Sequence, residues 1–280
     1  MIRINGKQAN VQYFPDGTLL LKEDVSADNK EAEITLQWNY EKNEELLTLY
    51  FLTRHLQSSG YENIVLNMPY IPNARQDRVK NAKDVFTLKY FAELINSLHF
   101  RRVQVLDAHS AVSLALIDRI WQVTPQKYIE QVIAKIEQES GKKPLMFYPD
   151  EGACKRYSGM FLLPYCFGIK TREWDTGEIK ALSIVGETER ICESDVLIVD
   201  DICSYGGTFL YAAKELVKWG AKNIDLFVSH CEESILNGKL YTCKEVRQIY
   251  TTDSIFRQKE DPRIKVLTEN EEAYLGKEKL

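Results

Sequence analysis

The chain has 280 residues, and its 36 Lys and Arg against 41 Asp and Glu leave a net charge of -5 at pH 7. That length supports a sizeable core and about two domains, and the acidic balance excludes the basic stripe of a nucleic-acid binder. No apolar run reaches membrane-spanning length and residues 1–7 lack the apolar core of a secretory leader, so a cytoplasmic protein with no membrane partner is expected.

In chain order, the sequence predicts an N-terminal β-hairpin over 11–14 and 19–22 around the turn Asp16-Gly17, then a strand over 33–38. Leu46, Leu47, Tyr50 and Leu56 fall at helical spacing within 43–59, and Gly60 is the expected stop. A strand at 63–68, a helix at 85–98, a strand at 103–106 and helices at about 110–121 and 125–139 complete a first half. Gly141-Lys142-Lys143-Pro144 reads as a linker, because Gly and Pro end helices and the lysines are solvated. The expected division is therefore 1–141 and 142–280.

The second half repeats the plan, with strands at 145–148, 166–169, 181–185, 196–199 and 224–229 and helices near 151–158 and 208–219. Gly60-Tyr61-Glu62-Asn63-Ile64-Val65-Leu66 echoes Gly220-Ala221-Lys222-Asn223-Ile224-Asp225-Leu226, a helix stop followed by a buried strand, as duplication would produce. The fold class expected is α/β, with two largely parallel sheets flanked by helices.

The most informative stretch is 194–208. An apolar strand, Val196 to Val199, ends in Asp200 and Asp201 and leads through Ser204 and Tyr205 into Gly206, Gly207 and Thr208 at the start of a helix. Ligands of parallel sheets bind at the C-terminal strand edge. Backbone N–H groups at a helix N-terminus cradle phosphate, and paired carboxylates hold ribose hydroxyls or a metal on them. An ordinary strand-turn-helix crossover with two solvated aspartates is the alternative that the glycine turn alone would favour.

A second polar edge follows the strand at 63–68. Pro69 and Pro72 end that strand, and Arg75, Gln76, Asp77 and Arg78 follow on a loop. Two arginines can pair phosphate oxygens and Gln76 can read a nucleobase, although a solvated loop with an internal Asp–Arg pair explains the same residues. A third edge lies at Asp107-Ala108-His109, where His109 is either a ligand for nucleotide-borne Mg2+ or a helix cap. The six cysteines, Cys154, Cys166, Cys192, Cys203, Cys231 and Cys243, show no C-x-x-C pairing and no His at zinc-ligand spacing, so reduced thiols without metal are expected.

Together these segments resemble the ribose-phosphate diphosphokinases, which make phosphoribosyl diphosphate. The resemblance implies two phosphoribosyltransferase-like domains. It implies that Ala74-Arg75-Gln76-Asp77-Arg78 binds ATP and that Asp107 to His109 supplies a metal ligand at His109. It implies further that Pro149-Asp150-Glu151-Gly152 presents Asp150 to Mg2+, that Lys170 and Arg172 of Lys170-Thr171-Arg172 are catalytic, and that Asp200 to Thr208 holds the ribose phosphate. The expected reaction moves the β,γ-diphosphoryl group of ATP to the C1 hydroxyl of a ribose phosphate, with AMP released, in a homo-oligomer of two or more chains.

Departures accompany the matches. Where the family has Asp-Thr-Ala-Gly-Thr, this chain has Ser204-Tyr205-Gly206-Gly207-Thr208, and Asn73 stands where the family has Tyr. Relatives in NAD salvage are thought to use ADP-ribose as the acceptor, and Tyr205 could pack beside its extra group. A phosphoribosyltransferase would leave Arg75, Arg78 and His109 without purpose. A non-catalytic regulatory homologue would be expected to have lost Lys170, Arg172, His109 or Asp150, all of which are present.

Overall fold

The computed structural model describes residues 1–23, 29–172, 179–258 and 260–268, without the side chains of 171, 172 and 179–181. The described chain forms two compact units, Met1–Thr124 and Pro125–Leu280.

The first unit contains β1 (Ile2–Ile4), β2 (Lys7–Gln8), β3 (Val11–Tyr13), β4 (Leu19–Leu21), β5 (Ile34–Trp38), α1 (Glu44–Ser58), β6 (Ile64–Asn67), α2 (Thr87–Asn96), β7 (Arg102–Leu106), α3 (Ala111–Leu116) and β8 (Ile120–Val123). Its main sheet has the order β2-β1-β5-β6-β7-β8, parallel from β5 to β8 and antiparallel at β1 and β2. β3 and β4 form the expected hairpin, with Val11 opposite Leu21. One face of the sheet, built on Ile34, Leu36, Leu66 and Val103, packs against Leu49, Leu52 and Leu56 of α1 and Leu88, Phe91 and Ile95 of α2. Those helical positions recur at three- and four-residue spacing; of the positions that the sequence singled out in α1, Leu56 is buried, Leu46 and Tyr50 are partly buried against the core and Leu47 is exposed.

The second unit contains α4 (Gln126–Ser140), β9 (Leu145–Tyr148), α5 (Glu151–Tyr157), β10 (Tyr165–Arg172), β11 (Ile179–Gly186), β12 (Asp195–Cys203), α6 (Gly207–Lys218), β13 (Asn223–Cys231), α7 (Lys239–Thr242), β14 (Gln248–Thr252) and β15 (Ile264–Leu267). Its sheet runs β11-β10-β9-β12-β13-β14-β15, parallel except for the β10–β11 pair. Phe209, Ala213 and Leu216 of α6 pack on Val196, Ile198, Leu226 and Val228. The echoed segments behave alike: Gly60 and Gly220 both take the left-handed conformation, at φ 86° and 84°, before a parallel strand.

Three features depart from the sequence reading. The helix expected over about 110–121 stops at Leu116, and β8 follows after Arg119 turns the chain at φ 51°. Leu114, Leu116 and Ile120 all reach the core, so an apolar pattern spanning a turn passed for one helix. Two strands, β14 and β15, lie beyond the last expected one. The third departure is at the boundary, where α4, read with the first half, belongs to the second unit. Lys135 of α4 lies over the Tyr250 ring, 5.2 Å from its centroid, and Glu139 pairs with Arg247 at 3.1 Å. Gly141, at φ 77°, is the C-terminal cap of that helix, where its N–H donates to Glu137 O at 2.8 Å.

Candidate active site

β12 is buried from Asp195 to Val199 and brings Asp200 and Asp201 to its C-terminal end, where the chain leaves the sheet after Cys203. Gly206 takes φ 77° as the N-cap of α6, a conformation that disfavours any residue with a Cβ. It is doubly required, since an added Cβ there would lie 2.6 Å from Leu240 Cβ. Gly238 closes the same contact from the other side, as a Cβ on it would lie 2.8 Å from the Tyr205 carbonyl carbon. The loop is therefore pressed against the segment leading into α7. Gly207 has open space where its Cβ would be, so the N–H groups of the first turn of α6 can be approached closely. Thr208 is half-buried and Tyr205 is 62% exposed.

Around the two aspartates stand two cations. Arg156 Nη1 lies 3.0 Å from Asp201 Oδ2, and Lys170 Nζ donates to Asp150 Oδ2 at 2.8 Å. Asp150 is also the N-cap of α5, where its Oδ1 accepts from Ala153 N at 3.0 Å. Burial raises the Asp150 carboxyl, but the Lys170 ammonium and the backbone donors of Ala153 and Gly152 outweigh it and hold it below the usual carboxylate range. Asp200 moves the other way. Its burial, then the charges of Asp201 and Asp150, push it well above that range. Asp150 and Asp201 each hold an ion pair, while Asp200 is the carboxyl whose ionisation is disfavoured.

Cys203 and Cys231 pair across β12 and β13 and are both fully buried. The Cys231 thiol beside it and its own burial push the Cys203 thiol well up, which makes it inert packing. All six cysteines are free thiols.

In the first unit, Arg75, Gln76, Asp77 and Arg78 line a cleft of about 300 Å3 together with Lys80, Asp84, Val85 and His109. The loop turns at Asn73, which takes φ 64° and accepts from Gln76 N at 2.9 Å. Asn tolerates that conformation better than Tyr does. Gln76 Oε1 accepts from Thr87 Oγ1 at 2.7 Å, so its amide nitrogen is the end offered to a ligand. Asp77 is 6% exposed and binds Arg78 Nε at 2.8 Å. Burial raises its carboxyl, but Arg78, with Ser110 and His109 beside it, keeps it below the usual range. The internal Asp–Arg pair is thus real, and the same loop still lines a cleft.

The structure brings Asp150, Lys170, Asp200, Asp201 and the 204–208 loop together in the second unit, and Arg75 to Arg78 with His109 in the first. The two residues assigned to metal, His109 and Asp150, fall in different units. Arg172 ends β10, and its side chain lies outside the described set. Arg156, Lys80, Asp84 and the Gly238–Leu240 support are additions that sequence reading missed. Arg156 alone left a signal, as a cation in the last turn of a helix whose cap is Asp150.

Among the described residues no three His, Cys, Asp or Glu side chains form a ready metal cage. Mg2+ does not need one, because one or two carboxylates with water and substrate phosphates commonly hold it. Asp150 and Asp201 are hard oxygen donors near the C-terminal strand ends, so these residues fit Mg2+.

Comparison with known proteins gives the same direction. Residues 1–98 match the N-terminal domain of ribose phosphate pyrophosphokinase. The ribose-phosphate pyrophosphokinase of Campylobacter jejuni is 28% identical over 268 residues, covering 93% of this chain and 83% of the relative. The Bradyrhizobium diazoefficiens enzyme of that name is 26% identical over 256 residues, covering 89% and 78%. The crystal structure of phosphoribosylpyrophosphate synthetase from Mycobacterium smegmatis shares the fold at a TM-score of 0.76, with 20% identity and coverage of 93% and 85%. No described helix is long and apolar enough to cross a membrane.

Proposed function

We propose that the chain is a divergent member of the ribose-phosphate pyrophosphokinase family, to which it is similar, and that it transfers the β,γ-diphosphoryl group of ATP to the C1 hydroxyl of ribose 5-phosphate, releasing AMP. One observation carries the reading: β12 delivers Asp200 and Asp201 beside a glycine-built helix N-terminus, with Arg156 paired to Asp201 and Lys170 to Asp150.

Roles follow from the chemistry of each side chain. The first-unit loop takes ATP, with Arg75 and Arg78 on phosphate oxygens and the Gln76 amide nitrogen on the base. The second-unit loop takes the acceptor. Gly206, Gly207 and Thr208 give N–H groups to its 5-phosphate, while Asp201, paired with Arg156, and the adjacent Asp200 bind the ribose hydroxyls. That fixes the orientation of the ribose and its C1 hydroxyl. Lys170 and Arg172 meet the charge that grows on the transferring oxygens, the main catalytic need of phosphoryl transfer. Mg2+ would be held by Asp150 and Asp201 in the second unit, and separately by His109 beside the nucleotide in the first, and would neutralise phosphate charge. A homo-oligomer working in the cytoplasm completes the proposal.

A second acceptor is favoured by one residue. Tyr205 is 62% exposed at the phosphate loop, where the family has a small hydroxyl residue, and its ring can line a site for ADP-ribose. Assay of ATP and Mg2+ with ribose 5-phosphate or ADP-ribose tests both readings. AMP must appear with one acceptor; ADP as the nucleotide product would overturn the proposal.

A further inference from the structure

Asp150 and Lys170 are each assigned a job away from the other, yet they are bound together. Lys170 Nζ lies 2.8 Å from Asp150 Oδ2, while Oδ1 is committed to the helix N-cap through Ala153 N at 3.0 Å. The N-cap bond fixes the carboxylate, so Oδ2 has little freedom to turn away. The two ends are unequally sheltered: the Lys170 side chain is 11% exposed and that of Asp150 is 44% exposed. A cation from solvent therefore reaches the carboxylate more readily than a phosphate reaches the ammonium.

We propose that Lys170 is a resident countercation for Asp150, holding the carboxylate until a divalent cation takes over that role, and that only then is the ammonium released to a phosphate. The inference rests on the proposed reaction and adds an order to it. Charge balance supports the exchange. Asp150 has one monovalent partner in Lys170, and a divalent ion reaching its more exposed carboxylate brings twice that charge to the same oxygen. Without metal, Lys170 is unavailable to ATP. With metal, the same step that fills Asp150 arms the lysine, and a site lacking its cation stays disarmed.

The test is binding, not turnover. Mn2+ alone, without nucleotide, should bind Lys170→Met severalfold more tightly than the native protein. Lys170→Arg, which keeps the charge, should bind it as weakly as native, and Asp150→Asn should lose the site in either background. On the unmutated protein, labelling of Lys170 with an amine-acylating reagent, read by mass spectrometry, should rise severalfold when Mg2+ is added. Mn2+ affinity in Lys170→Met equal to or below native, or unchanged labelling of Lys170, would overturn the exchange. The AMP assay on native protein decides the reaction separately, so the two ideas fail independently.

Discussion

Arg156 lies 3.0 Å from Asp201, an ion pair on one of two adjacent carboxylates, while burial pushes its neighbour Asp200 well above the usual carboxylate range. The side chains are 22% and 7% exposed, so water does little to replace the contact once it is broken. Arg156→Met should raise the KM for ribose phosphate about tenfold, the size of one charge-assisted hydrogen bond, with ATP affected far less. Arg156→Lys should recover part of the loss. Steady-state kinetics with each substrate varied would check it, and an equal effect on both KM values would assign Arg156 to general stability.

Asp200 should destabilise the protein it serves. Its folded-state value lies well above that of an unfolded aspartate, near 3.9. Over the window between the two, the folded protein holds a proton that the unfolded chain has released, so stability falls as pH rises through it. Asp200→Asn removes the ionisation and keeps an acceptor for Asp201 N, which lies 2.9 Å from Asp200 Oδ1. The variant should melt above the native protein at pH 7.5, at roughly 2–4 °C per kcal/mol gained, with the advantage fading near pH 4. Equal melting at both pH values would count against the raised value.

Lys170→Ala should lower turnover by about two orders of magnitude and leave the KM for ATP within severalfold, because its charge acts chiefly in the transition state. Single-turnover measurement of AMP formation separates this from slow product release.

Gly206 and Gly207 are neighbours with opposite tolerances. Gly206→Ala meets both a left-handed φ and the Leu240 side chain, and should lower the melting temperature clearly. Leu240→Ala should relieve only the steric part. Gly207→Ala meets no atom within 4 Å and should leave stability unchanged or slightly improved, while raising the KM for ribose phosphate by crowding the N–H groups. Thermal scans and kinetics on the three variants would check both halves.

If Tyr205 lines an acceptor pocket, Tyr205→Thr should shift relative kcat/KM from ADP-ribose towards ribose 5-phosphate. An unchanged ratio would leave the tyrosine as loop variation.

Elements with strong local periodicity were legible: α1, α2 and α6 through their apolar spacing, and β12 through its run of buried residues. The loop residues at 75–78 and 200–208 were legible because their types carry the chemistry. What local sequence could not show were contacts made across elements. Arg156 of α5 meets Asp201 of β12, Leu240 meets Gly206 from 34 positions on, and Lys170 meets Asp150 from 20 positions away. β8 was hidden for the related reason that tertiary packing, more than propensity, ends α3 at Leu116.

The allegiance of α4 bears on how the molecule can be divided. Tyr128, Ile129, Val132, Ile133 and Ile136 form its buried stripe, and its charged contacts run to Tyr250 and Arg247. Cutting the chain after 141, where glycine, lysines and proline invite it, would part the helix from β12, Tyr250 and Arg247 and carry its apolar stripe away on the other fragment. An uncovered apolar stripe is a template for self-association. Cutting after Thr124 keeps the helix with those partners, so the visible punctuation at Gly141 ends a helix and the seam lies at Pro125.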